Sequence, residues 1–272
     1  MKRLLLLLVL AAVANAEFLI ERVDVDISDV KSDGSAKVHE SIKFVMFGNY
    51  SNSIYDSGIG NDELSWWSSN VGLKDVKFHV NPSTVDIRDL RVRPQPRTKC
   101  NPIQGICHGE LILDYLAYPS FNNSSVATQG TGLFRLEKYK PRTIRYSINP
   151  SALYFTTTPE GNIILDENVF LTVELPPEAV VQDVNPAPSD LTLKLPVHAD
   201  SLSWSDIVLV KFSLVFEVED SIDKEVSDFF SGILIWVIET LRGPGGLPLV
   251  LLLAALIGSC LYVITAKRRG EE

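Results

Sequence analysis

Apolar and polar residues alternate one by one along much of this chain. Val23, Val25 and Ile27 are interleaved with Arg22, Asp24, Asp26 and Ser28. A period of two puts one set on each face of a strand, so the segment predicts a half-buried strand. Asp24 and Asp26 share its polar face, either simply solvated or placed for calcium. Lys31-Ser-Asp-Gly-Ser35 predicts a turn. Ala36 to Phe47 then return as a second strand whose inward set is Ala36, Val38, Glu40, Ile42, Phe44 and Met46. Glu40 is out of place on that apolar face. It needs either a bulge that turns it outward or a buried partner.

Further strands are predicted over Val76–Val80, Val85–Val92, and around Leu111, Leu113 and Tyr115. Leu133 to Ile148 follow, with Arg135, Lys138, Lys140, Arg142 and Arg145 forming a locally basic, solvated face. Val169, Leu171, Val173 and Leu175 alternate strictly and end at Pro176-Pro177. Val180–Val184 and Leu191, Leu193 and Leu195 continue the pattern. A last strand carries Val208, Val210, Phe212, Leu214, Phe216 and Val218 on one face. Many short strands with proline and glycine turns predict an all-β fold of one or two immunoglobulin-like β-sandwiches. The likeness to immunoglobulin modules is one of pattern, without a cysteine–tryptophan–cysteine core. The expected division is a first β domain over 17–121 and a second over 132–222, either side of a polar stretch.

Asn49 to Gly72 is rich in Ser, Asn, Asp and Gly and predicts a long loop. Trp66 and Trp67 sit in it, in an expected extended conformation that sends them to opposite faces. They are the candidate binding residues, because tryptophan is enriched at interface hot spots and loops on rigid scaffolds carry recognition. The competing reading packs both beneath the loop. Asn49, Asn122 and Asn123 stand in glycosylation sequons. Gly58-Ile-Gly60 and Gly130-Thr-Gly132 lack the third glycine of a phosphate loop and read as turns.

Two apolar runs break the alternation. Leu247 to Ala266 carry no charge, and roughly 20 helical residues cross a bilayer core. Lys267-Arg268-Arg269 follow and predict a cytoplasmic tail over 267–272. A buried core helix is the alternative. Leu4 to Val13, behind Lys2-Arg3 and before Ala14-Asn15-Ala16, predict a cleaved signal peptide over 1–16, with an uncleaved anchor as the alternative. Ser227 to Leu241 are apolar but interrupted by Glu239, which predicts a juxtamembrane amphipathic helix over 227–241 lying on the outer leaflet. The resulting expectation is a single-pass cell-membrane protein with its ectodomain outside.

Composition refines this. Of 272 residues, 34 are acidic and 25 basic, for a net charge of −9. The balance stays acidic once the charged residues of the two flanks are set aside. That argues against nucleic acid as a partner, which needs basic surface. Of three cysteines, Cys260 falls in the apolar run. Cys100 and Cys107 flank a short Pro- and Gly-containing loop and, outside the cytosol, predict a disulfide. A metal site using His108 is the rival, but the spacing matches no common zinc motif.

Asp33-Gly34-Ser35-Ala36-Lys37-Val38-His39-Glu40-Ser41-Ile42-Lys43-Phe44, followed by Phe47-Gly48-Asn49-Tyr50, resembles the opening of a family of uncharacterised prokaryotic membrane proteins. Those have a signal peptide, a D-G-S-x-x-V-x-E hairpin, a β-rich ectodomain and a membrane anchor. The resemblance covers about thirty residues and implies the same layout, but no activity.

His39, His79, His108 and His198 form no H-E-x-x-H or other ligand-spaced pair, and no G-x-S-x-G elbow occurs. No catalytic, metal or cofactor site is expected. The predicted function is a surface interaction module for protein or glycan, with the bilayer as a further partner. The alternatives are an accessory subunit of a membrane complex and a cryptic extracellular hydrolase.

Overall fold

A computed structural model describes residues 16–120, 132–140, 142–189 and 194–219, together with Ser231, Ile233, Ile235, Ile238 and Glu239. The expected signal peptide (all but Ala16), the span over 247–266, the tail, Asn122 and Asn123 lie outside the described residues. Among the described residues, no helix is long and apolar enough to cross a membrane.

The fold is mostly β-sheet, with strands in two sheets. β1 (Glu17–Ser28) and β2 (Ala36–Phe47) form the expected hairpin. Its turn is closed by Gly34 N–H donating to Lys31 O and by Asp33 Oδ1, which accepts from the Ser35 amide and hydroxyl. Glycine suits position 34 through its backbone first, and a side chain there would also have to displace Leu136. The φ of Gly34 is +83°, and a Cβ there would sit 2.5 Å from Leu136 Cδ1.

Every inward residue expected of β2 is buried. β2 pairs with β5 (Ile106–Pro119), and β5 pairs with β3 (Val85–Pro94) and the short β4 (Thr98–Asn101). On the other side, β1 pairs in parallel with β9 (Ile163–Glu174), which pairs with β8 (Thr156–Thr157) and β12 (Ser201–Leu209). The second sheet runs β11 (Val197–His198), β10 (Val180–Asn185), β13 (Ser213–Glu219), β7 (Thr143–Ile148), β6 (Phe134–Lys140). One hydrophobic cluster, from Val23 and Ile42 to Leu214 and Phe216, runs through both.

The β1–β9 pairing changes the expected division of the chain. Residues 17–121 and 132–222 were expected as separate domains, yet they contribute strands to the same sheet, and one compact unit extends to Glu219. Residues from Asp220 onward form a second unit.

Three local expectations are corrected. Asn49–Gly72 is not one extended loop. It holds helices α1 (Gly48–Gly58) and α2 (Leu64–Val71). The α1 face that packs inward is Ser51, Asn52, Tyr55 and Gly58. Their spacing is helical, but two of the four are polar, so no apolar stripe marks the helix in sequence. Val76–Val80 forms turns and a single bridge, Val80 to Leu153, rather than a strand. The last predicted strand is two strands. Lys211, with φ +49°, turns the chain between β12 and β13, so Val208 and Val210 are exposed while Phe212, Leu214 and Phe216 are buried.

Candidate functional site

The inner face of the eight-stranded sheet holds the apolar side chains of β1, β2, β5 and β9. Its outer face carries the other parity of the same strands. Register aligns this polar set into rows: Arg22, Lys43 and Glu110; Asp24, Ser41, Ile112 and Arg93; Asp26, His39, Asp114 and Arg91. Cross-strand neighbours on one face lie about 5 Å apart, which brings Lys43 to Asp24 and Glu110, and His39 and Arg93 to Asp114.

A cleft of about 310 Å³ opens on this face. Glu21, Lys43, His108 and Glu110 line it, with Gln95 from the segment joining β3 to β4 and Thr98 at the start of β4. His108 Nδ1 lies 2.7 Å from Glu21 Oε2. Glu110 Oε1 accepts from the Ser41 hydroxyl at 2.6 Å, and Lys43 Nζ lies 3.8 Å from it. Lys43 also reaches Asp24, which holds the Arg22 guanidinium at 2.6 Å.

Two devices hold the cleft floor. Gly109, between His108 and Glu110, lies under the Tyr55 ring, and a Cβ there would come within 2.7 Å of it. The Tyr55 hydroxyl donates to Gln95 O at 2.5 Å and accepts from Glu110 N–H at 3.2 Å. Burial pushes that hydroxyl up to about 12, so it stays a donor. Beside it, Cys100 and Cys107 are joined as a disulfide, Cα–Cα 4.1 Å. Arg97 of the same segment is held by Asp56 of α1 at 2.7 Å. His108, weighed as a metal ligand with these cysteines, is spent on Glu21. Among the described residues no metal-binding cluster of His, Cys, Asp and Glu occurs.

Beyond the cleft, Asp114 joins His39 and Arg93. His39 Nδ1 lies 2.8 Å from Asp114 Oδ1, and Arg93 Nη2 donates to Oδ2. Burial pushes the Asp114 carboxyl up, but the bonds from His39 and Arg93 outweigh it and hold the group below its usual value.

Glu40 keeps its inward place without a bulge, in register between Val25 and Leu113. The answer to its misfit is a buried partner. Oε2 lies 2.8 Å from His79 Nδ1, while Oε1 accepts from the His79 amide at 3.0 Å and from the Tyr115 hydroxyl. Burial and the nearby Glu40 raise the Tyr115 pKa well above its usual range. Glu40 is 0% and His79 1% exposed. No substrate reaches groups so enclosed, and their work is structural. Tyr154 N–H donates to His79 O, so the cluster ties residues 72–84 and 150–155 to the sheet.

The expected binding residues divide. Trp67 is buried, its ring edge-on to Tyr55 and its indole N–H donating to Asn61 O at 3.0 Å. Trp66 is half-buried and edge-on to Trp67. Asn49 is exposed at the start of α1. The sequence reading missed Glu21, Lys43, His108 and Glu110 as one site. They come from three strands. Lys43, His108 and Glu110 have the outward parity of theirs, but Glu21 is in phase with the inward Val23 and faces out only because the β1–β2 register shifts between Ile20 and Arg22.

No family model matches the chain, and no curated protein matches it. Among solved structures, it is similar to native leukotriene A4 hydrolase from Saccharomyces cerevisiae, with 9% identity and a TM-score of 0.31. That likeness covers 74% of this chain and 29% of the hydrolase. The yeast enzyme in complex with bestatin gives 8% identity and a TM-score of 0.26 over the same shares. Scores this low carry no argument about fold or activity.

Proposed function

We propose that this chain is a non-enzymatic interaction module held at the outer face of a cell membrane, recognising a surface protein or glycan. The reading takes the apolar run over 247–266 as its single anchor, the residues before it as the ectodomain, and 267–272 as a cytoplasmic tail. The architecture we favour is immunoglobulin-like in the broad sense of two sheets around one core.

The observation that carries the recognition reading is the outer face of the eight-stranded sheet. It presents a cleft of about 310 Å³ whose lining is carboxylate, amine, imidazole, amide and hydroxyl. Convergent polar groups in a concavity are the usual mark of a binding site. Trp66 on α2 is the second contact point we favour, since Trp67 is committed to the core.

Photo-crosslinkers placed in cells at Gln95 and Thr98, on the cleft wall, test this. Discrete adducts absent from a control position on β13, Val218, are expected. Adducts from neither wall position, or identical ones from the control, would overturn the reading.

A second reading, an accessory subunit of a membrane complex, is favoured by the exposure of Ile233, Ile235 and Ile238 in the second unit. A fixed set of partners crosslinked from those isoleucines, and none from the cleft, would support it instead.

A further inference from the structure

We propose that the outer face of the eight-stranded sheet binds an acidic glycan through Lys37, Arg91 and Arg93. This rests on the interaction-module reading above and names its ligand class.

These three cations line an open trough of about 510 Å³ with Asp89, Asp114, Tyr115 and Leu116. Arg91 stands opposite Asp114 in the β3–β5 register. Arg93 follows two residues on, roughly 7 Å along the strand on the same face. Lys37 stands opposite Leu116 from the β2 side. Arg93 is committed to Asp114. Among the described residues, neither Lys37 nor Arg91 has an acidic partner within ion-pair distance. Their neighbour Arg88 differs: it is held by Asp86 at 2.6 Å and lies 4.7 Å over the Tyr118 ring.

The trough exists because of an irregularity. The β3–β5 register shifts between Arg88 and Arg91, and Asp89 there has φ +54°. Such bulges at sheet edges re-aim side chains and interrupt edge pairing. Here two residues are thrown out of the ladder and the outer surface is left concave.

The chemistry selects among anionic partners. Nucleic acid is disfavoured by a chain net charge of −9. A protein partner needs aromatic or aliphatic anchors, but of the residues lining the trough Tyr115 is 2% exposed and Leu116 half-buried, and the exposed Leu90 of the same bulge is not among them. Asp89 and Asp114 add acceptors beside the cations. A ligand that fits must bring sparse negative charge together with hydroxyl donors. A polysaccharide bearing carboxylates or sulfates does both.

The test is calorimetric titration of the purified full chain with polygalacturonate, with neutral dextran and polyglutamate as comparison probes. Polygalacturonate is expected to bind in a salt-sensitive manner, and dextran and polyglutamate to bind far more weakly. Arg91→Gln and Lys37→Gln should each weaken it about tenfold, the worth of one charge-assisted hydrogen bond. Arg88→Gln, at a guanidinium that does not line the trough, should leave it unchanged. Unaltered melting temperatures confirm that the variants fold, and Arg91→Lys, which keeps the charge, should retain most binding. No polygalacturonate binding, equal binding by the Arg91 and Lys37 variants, or polyglutamate binding as tight as the glycan, overturns the proposal. Cleft adducts from the parent chain, with no polygalacturonate binding by that same chain, would leave the interaction module standing and remove only this site.

Discussion

Two histidine–carboxylate pairs sit back to back on β2. His39 faces outward and meets Asp114; Glu40, the next residue, faces inward and meets His79. Both nitrogen–oxygen separations are 2.8 Å. On β5 the same alternation places Asp114 outside and Tyr115 inside. What differs is water. The His39 and Asp114 side chains are 37% and 20% exposed, whereas His79 and Glu40 are 2% and 0%. An enclosed carboxylate must have every lone pair answered, so Glu40 collects an imidazole, an amide and a phenol. An exposed one is held by fewer groups and can exchange them for a ligand. The same chemistry is therefore a fastener on one face and, on the other, a solvent-exposed pair beside the binding surface we propose.

The comparison breaks most sharply at Glu40. Glu40→Ala leaves the His79 amide and the Tyr115 hydroxyl without their acceptor in an apolar interior. Leaving these buried donors unanswered costs about 3–5 kcal/mol in all, at about 1–3 kcal/mol for each. Asp114→Ala, its outward counterpart, should cost about 1 kcal/mol or less. Denaturant unfolding of the purified chain, followed by tryptophan fluorescence, measures both. Equal losses at the two positions would show that burial does not separate them.

The adjacent tryptophans repeat the contrast on α2. Trp67→Ala truncates a fully buried ring against Tyr55 and should cost about 3–5 kcal/mol. Trp66→Ala, at a half-buried ring, should cost clearly less and weaken partner association instead. If both variants lose the same stability and neither loses binding, α2 is only a lid on the core. Replacing Cys100 and Cys107 by serine ranks next. Opening so short a loop costs about 2–3 kcal/mol in the loop-entropy model. Because the segment they staple walls the cleft, crosslinking from Thr98 should fall more than global stability does.

How far the sequence shows this contrast depends on the range of each interaction. The inward set of β2 was fully legible, because period two is a property of one strand and needs no partner. Glu40 was visible as an anomaly for the same reason, but His79, thirty-nine residues away, was not. Helix α1 was hidden because Ser51 and Asn52 take buried places, and α2 because its eight residues bury only Trp67 and Val71. Ser51 accepts from Glu17 N–H and donates to Phe47 O, and Asn52 donates to Gly105 O. The bonds to Glu17 and Gly105 are tertiary, and polarity alone reads both residues as exposed. The parallel β1–β9 pairing joins residues far apart in the chain and leaves no local trace. At Lys211 the parity of valines and phenylalanines ran on unbroken through a turn, so pattern alone fused two strands. The cleft needed all of this topology before Glu21, Lys43, His108 and Glu110 could share one place.

The smallest expected effect is the pH response of the outer pair, and its sign is fixed by Asp114. The folded carboxyl lies below its ordinary value because the bonds from His39 and Arg93 outweigh the upward push of burial. A depressed carboxylate contributes stability above its unfolded pKa and loses it as pH falls through the folded one. Asp33, through its bonds from Ser35 against burial, and Glu160, through its bond with Thr158, shift in the same direction, so the acid limb of the whole protein mixes all three. Subtracting Asp114→Asn from the parent isolates the outer pair. Their stability difference should be about 1 kcal/mol or less at pH 5, and shrink toward zero below about pH 4. It should also shrink in 1 M salt, where screening reaches about 3 Å. Glu40→Gln measured alongside should show no such relief by salt, since water and ions do not reach it. A salt response as large at Glu40 as at Asp114 would mean that the inner cluster opens to solvent, and that the two faces of β2 are less different than their exposures imply.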